Sequence, residues 1–204
     1  MANKIIPVEI EGINDTIYSG FWPRLGAMLL DLLIVIPVLV FTVLLDSFDK
    51  HLYLLTLFTS LLFNFWYQVY LPYKYGGTPG KLIVGIRIVK LDSSAIGWRE
   101  AILRESVYLI IMVINIFVMS VAVFLADNEV YKNLDWLEQA EYLDSLVVGS
   151  SITYYLNQIW TWSEMVVLLT NKRKRAIHDF IAGTVIVKSQ YIEKIRETMK
   201  EVEF

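Results

Sequence analysis

Residues 52–73 read LYLLTLFTSLLFNFWYQVYLPY and contain no charged side chain in 22 positions. An uncharged apolar run of about 18 or more residues can cross the hydrocarbon core of a bilayer as a helix. Two more uncharged runs, Ser106–Ala126 and Ser145–Ser163, lie further along the chain, and a fourth apolar stretch begins near Phe21. The sequence therefore predicts an all-α membrane protein, a four-helix transmembrane bundle with spans at about 21–45, 52–73, 106–126 and 146–170.

Composition agrees with a membrane protein and excludes several other classes. Of the 204 residues, 56% are hydrophobic and 19% are charged, whereas soluble domains have roughly 45–50% and about 25%. Such hydrophobicity excludes a disordered chain. The absence of cysteine excludes a disulfide scaffold, a thiolate metal site and a cysteine nucleophile. Two histidines are too few for a histidine-built zinc site, so we expect no metal and no cofactor.

The distribution of Lys and Arg predicts the orientation of the spans, because cytoplasmic loops are enriched in both. Residues 72–105 carry six cations and residues 171–204 carry eight, whereas 46–51 and 127–144 carry one each. With the N-terminal side included, 16 of 18 cations fall on one side. Both termini should therefore be cytoplasmic. A cleavable signal peptide does not fit, because residues 1–20 include three acids and no apolar core.

The chain outside the spans reads as one domain with two short flanking pieces. We expect a cytoplasmic segment at 1–19, the membrane domain at 20–188 and a cytoplasmic amphipathic tail at 189–204. Two pieces rich in β-branched residues, Ile86–Lys90 and Thr184–Lys188, predict short cytoplasmic β-like segments that could pair. The tail spaces its apolar residues as in a helix, which indicates an amphipathic helix at the membrane surface: Tyr191, Ile195, Met199 and Val202.

Two charged residues, Arg24 and Asp31, lie within the first span. Seven residues of helix bring them to within about 20° on one face, roughly 10.5 Å apart along the axis. Asp31 would lie about 15 Å below Phe21, near the bilayer midplane. A charge there costs from about 3 to above 10 kcal/mol, so it must be paired, protonated or beside water. Three interpretations stay open: a structural pair with Arg24, a role in binding or moving an ion or proton, or a span boundary that lies elsewhere.

Each of the other spans carries a polar stripe at helical spacing. Such stripes serve either interhelical hydrogen bonding, worth about 0.6 kcal/mol per contact, or a hydrated pathway. Glu164 lies near the basic end of the fourth span, where it can reach the interface or pair with Arg104. The stripes place Glu105 on the third span and give these candidate pathway residues: Asn64, Gln68, Asn115, Asn157 and Gln158.

Three short motifs resemble sites of other protein classes. The run GGTPGK at 76–81 does not match a phosphate-binding loop, because that motif needs a glycine where Tyr75 stands and Ser or Thr where Leu82 stands. Thr78 followed by Pro79 instead indicates the start of a helix. The cluster KRKR at 172–175 is a topology signal and a contact for anionic lipid, so no nucleic-acid partner is expected. His178 and Asp179 resemble a base with its orienting acid, but no nucleophile accompanies them, so we expect no enzyme.

Taken together, the motifs resemble the RDD family of integral membrane proteins. The resemblance rests on FWPRLGA at 21–27 with Asp31, on GTPGK at 77–81 with Gly85 and Arg87, and on KRAIHDFIAGT at 174–184. It covers about residues 20–188. The family is named for an arginine and two aspartates, whose roles map onto Arg24, Asp31 and Asp179, and Arg104 resembles the arginine found ahead of the third span. Lys81, Glu105, Glu164 and His178 are expected to support this charge cluster.

The resemblance implies a bacterial cytoplasmic (inner) membrane location and two classes of function. Some family members resemble monovalent cation/proton antiporters, and related proteins look like scaffolding or assembly subunits of membrane complexes. The first class would have Asp31 alternate between a proton and a cation, which needs a partly desolvated acid. Its partners would be the lipid bilayer, monovalent cations and protons, and a homodimer is plausible. The resemblance also leads us to expect Arg24 held between Asp31 and Asp179.

Overall fold

The computed structural model describes residues 5–201 and is mostly helical, with one small sheet. Three helical segments are long and apolar enough to cross a membrane: Phe21–Asp46, Lys50–Ile83 and Trp98–Leu125. They correspond to the first three predicted spans, although the third helix begins eight residues earlier than its predicted span at residue 106. These early residues include Arg99 and Arg104, which the uncharged-run criterion had excluded.

The fourth predicted span forms a helix of 22 residues, Gly149–Thr170. It is not among the three helices that meet the membrane-spanning criterion in the described chain. Its sequence explains why, because Asn157, Gln158 and Glu164 interrupt its apolar residues. The described chain is therefore mostly helical with three candidate membrane-spanning helices, whereas a bundle of four membrane-spanning helices stays a prediction.

The described elements follow one another along the chain without long loops. The second apolar segment is not one regular helix, because a π-helical turn at Trp66–Tyr70 interrupts it. The α-helices are α1 (Phe21–Asp46), α2 (Lys50–Phe65), α3 (Leu71–Tyr75), α4 (Pro79–Ile83), α5 (Trp98–Leu125), α6 (Asn128–Lys132), α7 (Trp136–Ser145), α8 (Gly149–Thr170), α9 (Ile177–Ala182) and α10 (Ile192–Glu201); the strands are β1 (Ile86–Lys90) and β2 (Thr184–Lys188).

The two predicted β-like segments are confirmed as an antiparallel pair. Ile88 of β1 lies opposite Ile186 of β2, and Arg87 lies opposite Val187. Tyr18 adds a single bridge to Val187 on the other side of β2. The pairing gives three separated stretches of chain a common backbone frame.

The chain forms two compact units. The first contains the chain up to Leu33, Trp66–Ser106 and the chain from Trp162 onward. Its apolar core joins the N-terminal segment, both strands and α10: Ile6, Ile10, Ile17, Tyr18, Val89, Val185, Val187, Ile195 and Met199.

The predicted tail helix is present, but its apolar face does not lie free for lipid. Ile195 and Met199 are 2% and 8% exposed and pack in the core of the first unit. The amphipathic spacing is therefore explained by packing against protein, which corrects the expectation of a membrane-surface helix. Val202, the last residue of the predicted pattern, lies outside the described residues.

The second unit comprises Ile34–Phe65 and Val107–Thr161. Its buried cluster includes Met119, Val123, Tyr131 and Leu143. Asp127 and Asp135 accept hydrogen bonds from the first turns of α6 and α7, which are N-cap contacts. The acidic loop between α5 and α8 is therefore built from two short capped helices.

Candidate functional site

Asp179 lies at the centre of a buried charge network in the first unit. Its side chain is 0% exposed, and its Oδ2 accepts a hydrogen bond of 3.0 Å from Arg24. Oδ1 accepts hydrogen bonds from Arg104 and, at 3.2 Å, from Thr184. The backbone N–H of Ala176 donates to Oδ2 at 3.1 Å, which ties the carboxylate to the start of its own helix, α9. Two guanidinium groups and two neutral donors therefore surround one carboxylate.

The charges around Asp179 decide its protonation state. Burial alone would raise the pKa of this carboxyl, but Arg104 and Arg24 together hold the pKa well below its usual range. Opposite charges favour the ionised form in this way when they lie within about 4–6 Å. Asp179 is therefore an anion throughout the physiological pH range.

Arg175 is a further member of the network, although the sequence suggested a topology signal and a contact for anionic lipid for its cluster. Its Nε donates to the carbonyl of Thr184 at 2.9 Å and its Nη2 to the carbonyl of Asp179 at 2.7 Å. The guanidinium also lies 4.0 Å from the centroid of the Phe180 ring. This arginine fixes α9 onto β2 and so holds Asp179 in place.

Arg24 is held by more than its acid. Its Nε donates to the Ser19 carbonyl at 3.2 Å, and its Nη2 donates to the Lys174 carbonyl. Because a guanidinium offers five N–H donors, it can serve an acid and two carbonyls at once. The first turn of α1 is thereby fastened to the segment that leads into α9.

His178 and Glu164 form the rim of the network. The backbone N–H of His178 donates to Glu164 Oε1 at 2.9 Å, and the ring Nδ1 lies 2.7 Å from Oε2. The ring Nε2 lies 2.9 Å from Arg104 Nη2. Since a guanidinium only donates, Nε2 must accept, which leaves the hydrogen of a neutral ring on Nδ1, facing Glu164. The pairing of Glu164 with Arg104 that the sequence suggested is thus mediated by His178.

Asp31 belongs to a second, separate network. Its Oδ1 accepts hydrogen bonds from the Tyr67 hydroxyl at 2.6 Å and from the Gly80 N–H at 2.7 Å. Its Oδ2 accepts from the Thr78 hydroxyl at 2.5 Å. An ionised carboxylate has about four acceptor positions, so three are in use here. The carboxylate is 9% exposed at the residue level and has little capacity left for another ligand.

Local structure explains how these three donors reach Asp31. The π-turn adds a residue to the helical repeat at Trp66–Tyr70, and such turns re-aim side chains at functional positions. Thr78 is the N-cap of α4 with Pro79 next to it, as the sequence predicts, but its hydroxyl bonds Asp31 instead of capping its own helix. Gly80 brings α4 against α1, since a Cβ there would lie 2.2 Å from the Ala27 carbonyl.

The structure replaces the expected Arg24–Asp31–Asp179 cluster by two networks. Among residues 5–201, the hydrogen bonds of Arg24 go to Asp179 and to two carbonyls, whereas those of Asp31 come from Tyr67, Thr78 and Gly80. The separation follows from the chemistry available at each end. α9 brings an acid to Arg24, whereas the GGTPGK turn brings hydroxyl and N–H donors to Asp31.

Two of the expected supporting residues lie beside both networks. Lys81 donates a hydrogen bond to the Thr78 hydroxyl oxygen at 3.3 Å, so it contacts Asp31 indirectly, through Thr78. Glu105 is half-buried and interacts electrostatically with His178, Lys81 and Arg104. Lys81 therefore adjoins the Asp31 network, and Glu105 lies between Lys81 and the residues around Asp179.

Two of the five pathway candidates line an open cleft within the second unit. Its volume is about 380 Å³, and Asn115 and Asn157 contribute to its wall. Asn115 Nδ2 also donates to the Thr153 hydroxyl at 3.1 Å, which links α5 to α8. The remaining lining comes from Tyr108, Ile111, Met112, Asp144, Ser150, Thr153 and Tyr154.

The other three candidates do not line this cleft. Gln158 donates to the Tyr154 hydroxyl at 2.9 Å on the exposed face of α8. Gln68 lies in the π-turn. Asn64 is half-buried, and within the described chain its Oδ1 accepts no hydrogen bond. The five predicted pathway residues therefore lie in different surroundings.

Sequence reasoning missed three of the residues that build the networks and one that lines the cleft. Thr184 and Arg175 lie inside the quoted KRAIHDFIAGT motif, so they could have been considered as hydrogen-bonding partners of Asp179. Tyr67 gave no comparable signal, because a tyrosine in an apolar run normally indicates a membrane interface. Asp144 appeared only as one acid among six in the outer loop.

Comparison with known proteins agrees with these motifs. The family model described as "RDD family" matches residues 18–183. The chain is also similar to "Uncharacterized protein YckC" of Bacillus subtilis (strain 168), at 29% identity over 173 residues, which cover 82% of this chain and 83% of the relative. No solved structure matches the chain. The match spans Arg24, Asp31, Arg104 and Asp179 alike, and the chain belongs to the RDD family.

Proposed function

We propose that this protein is a small multi-pass membrane transporter that moves a monovalent cation in exchange for protons. The observation that carries the proposal is the open polar cleft of the second unit. Asn115, Asn157 and Thr153 supply neutral oxygen atoms there, and Asp144 supplies the one formal charge in the lining. Polar side chains are costly on membrane helices and therefore usually mark ion or substrate pathways.

The proposal includes four membrane spans, with α8 as the fourth, and cytoplasmic termini in a bacterial inner membrane. The polar face of α8 suits a helix that lines a pathway better than one surrounded by lipid. Because the chain has no cysteine, orientation can be tested with single-cysteine variants. Glu129→Cys should react with an impermeant maleimide from outside intact cells, and Glu193→Cys should react only after lysis. The opposite labelling pattern would reverse the orientation.

The two buried networks have a different role in this proposal. Asp31 fixes the GGTPGK turn and the π-turn to α1, and Asp179 fixes α9 to α1 and α5. Both acids are therefore positioning residues within the first unit. This moves the cation site from Asp31, where the sequence suggested it, to the cleft.

Flux in proteoliposomes tests the proposal. Purified protein should produce cation-dependent proton movement under an imposed pH gradient. Asn115→Leu and Asn157→Leu should each reduce the rate by about tenfold or more, whereas Asp31→Asn should retain flux in any protein that remains folded. Loss of flux in Asp31→Asn with normal thermal stability would return the cation site to Asp31. Absence of flux across a panel of monovalent cations would exclude the transporter.

A membrane scaffold is the second candidate, and a specific observation favours it. The residues that define the family form buried, hydrogen-bonded networks in the first unit, as expected for a rigid docking platform. A scaffold should give no flux and should co-purify with a defined membrane partner. Asp179→Asn should loosen α9 and so abolish this co-purification.

A further inference from the structure

The cleft of the second unit has a composition that selects among cations. We propose that it binds a small organic ammonium ion, such as a protonated primary amine, with Asp144 as the counter-ion. This inference rests on the proposed transport function and names its substrate class. It follows from the charge of the lining, from its size and from its aromatic and amide groups.

Charge comes first, because Asp144 is the only formally charged side chain in the lining. Other acids of the same loop stabilise its helices: Asp127 and Asp135 are the N-caps of α6 and α7, and Glu138 accepts a hydrogen bond from the Asp135 N–H. Among residues 5–201, the Asp144 carboxylate takes part in no ion pair and accepts no hydrogen bond. A carboxylate that has no ion-pair or hydrogen-bond partner, at the wall of a cleft, attracts cations and repels anions.

The surrounding loop strengthens this attraction. Residues 127–144 contain six acids and one lysine, a net charge of −5. Exposed charges of one sign raise the local concentration of counter-ions near a cleft. A cation approaching this loop would therefore meet Asp144 in a negative field.

Size and shape favour an organic cation over a bare alkali ion. The cleft holds about 380 Å³, within the range of roughly 300–1,000 Å³ that is usual for small-molecule sites. A bare metal ion instead requires a tight shell of oxygen atoms, six to eight in the case of Ca²⁺.

The remaining lining matches the parts of an ammonium ion. Tyr108 and Tyr154 present aromatic rings, which attract cations through the negative faces of the rings. Ile111 and Met112 provide apolar contact for an alkyl group, and the amide oxygens of Asn115 and Asn157 can accept N–H hydrogen bonds. The combination of carboxylate, ring, amide and alkyl contact is more specific for an alkylammonium ion than for sodium.

Calorimetric titration of ethylammonium chloride into the purified full-length protein tests this site, at constant ionic strength with sodium chloride as comparator. Wild type should bind ethylammonium more tightly than sodium. Asp144→Asn should weaken ethylammonium binding by about tenfold or more. Glu141→Gln is the matched control, because Glu141 is an exposed acid of the same helix that does not line the cleft, and it should change binding by less than about twofold.

A second pair of variants tests whether the aromatic ring of Tyr154 contributes to binding. Tyr154→Phe keeps the aromatic face and should retain binding, whereas Tyr154→Leu should weaken it. Equal binding of sodium and ethylammonium, or equal effects of Asp144→Asn and Glu141→Gln, would overturn the assignment. Alkali-ion flux without ethylammonium binding would reject this inference and keep the transporter. Ethylammonium binding without any flux would keep the site and reject transport.

Discussion

Arg24 in α1 and Asp179 in α9 form a hydrogen-bonded ion pair of 3.0 Å across 155 residues of sequence. The carboxylate is fully buried and the arginine side chain is 12% exposed. Burying two charges is costly, so such a pair is maintained only when further hydrogen bonds satisfy both partners. Arg104, Thr184 and Ala176 donate these further hydrogen bonds to Asp179. The Arg24–Asp179 contact therefore joins α1 to the part of the chain that follows α8.

Replacing the acid of this pair should destabilise the protein strongly. Asp179→Asn leaves Arg24 and Arg104 as uncompensated buried charges, and breaking a buried pair in this way costs about 3–5 kcal/mol. Denaturant unfolding in detergent, followed by circular dichroism, measures the loss. Asp15→Asn is the control, because it removes an exposed pair with Lys188 and should have little effect. Equal stability of the two variants would show that Asp179 does not hold the network together.

The same residue predicts a pH dependence with a definite sign. The neighbouring arginines lower the pKa of Asp179 in the folded protein below that of the unfolded chain. Its stabilising contribution is therefore complete above the unfolded pKa of about 4 and is lost as the pH falls below it. The stability difference between wild type and Asp179→Asn should not narrow between pH 8 and about pH 5 and should shrink below about pH 4. Thermal melts of both proteins across this pH range measure the difference. A difference in stability that disappears near neutral pH would contradict the prediction.

Gly80 should tolerate no side chain. A Cβ at this position would lie 2.2 Å from the Ala27 carbonyl and 2.7 Å from Oδ1 of Asp31. Gly80→Ala must push α4 away from α1 and lengthen the bonds to Asp31, with a cost of about 1–3 kcal/mol or more. Gly20→Ala is a suitable control, since no atom lies within 4 Å of a Cβ there. Comparable melting temperatures for the two variants would mean that the close approach is not required.

The contrast between Asp179 and Asp31 shows what the sequence can and cannot predict. The pairing of Asp179 with Arg24 could be predicted, because the resemblance to the RDD family singles out both residues. The partners of Asp31 could not be predicted, because hydroxyl and backbone N–H donors occur everywhere and their aim depends on a π-turn and on an N-cap. The helices around residues 52–73 and 106–126 could be predicted from uncharged runs, and α1 from an apolar stretch that contains Arg24 and Asp31. Periodicity alone could not show whether α10 buries its apolar face in lipid or in protein.

α10 provides a test of that last distinction. Ile195 is 2% exposed in the core of the first unit, so Ile195→Ala should destabilise the protein by about 2–5 kcal/mol. Arg196→Ala, on the exposed face of the same helix, should leave stability nearly unchanged. Because the chain has no cysteine, Ile195→Cys and Arg196→Cys each give one labelling site. Packing in the core predicts slow reaction of Ile195→Cys with both water-soluble and membrane-permeant maleimides, and fast reaction of Arg196→Cys. A helix lying on the bilayer would instead let the membrane-permeant reagent reach Ile195→Cys, and Ile195→Ala would then cost no more stability than Arg196→Ala.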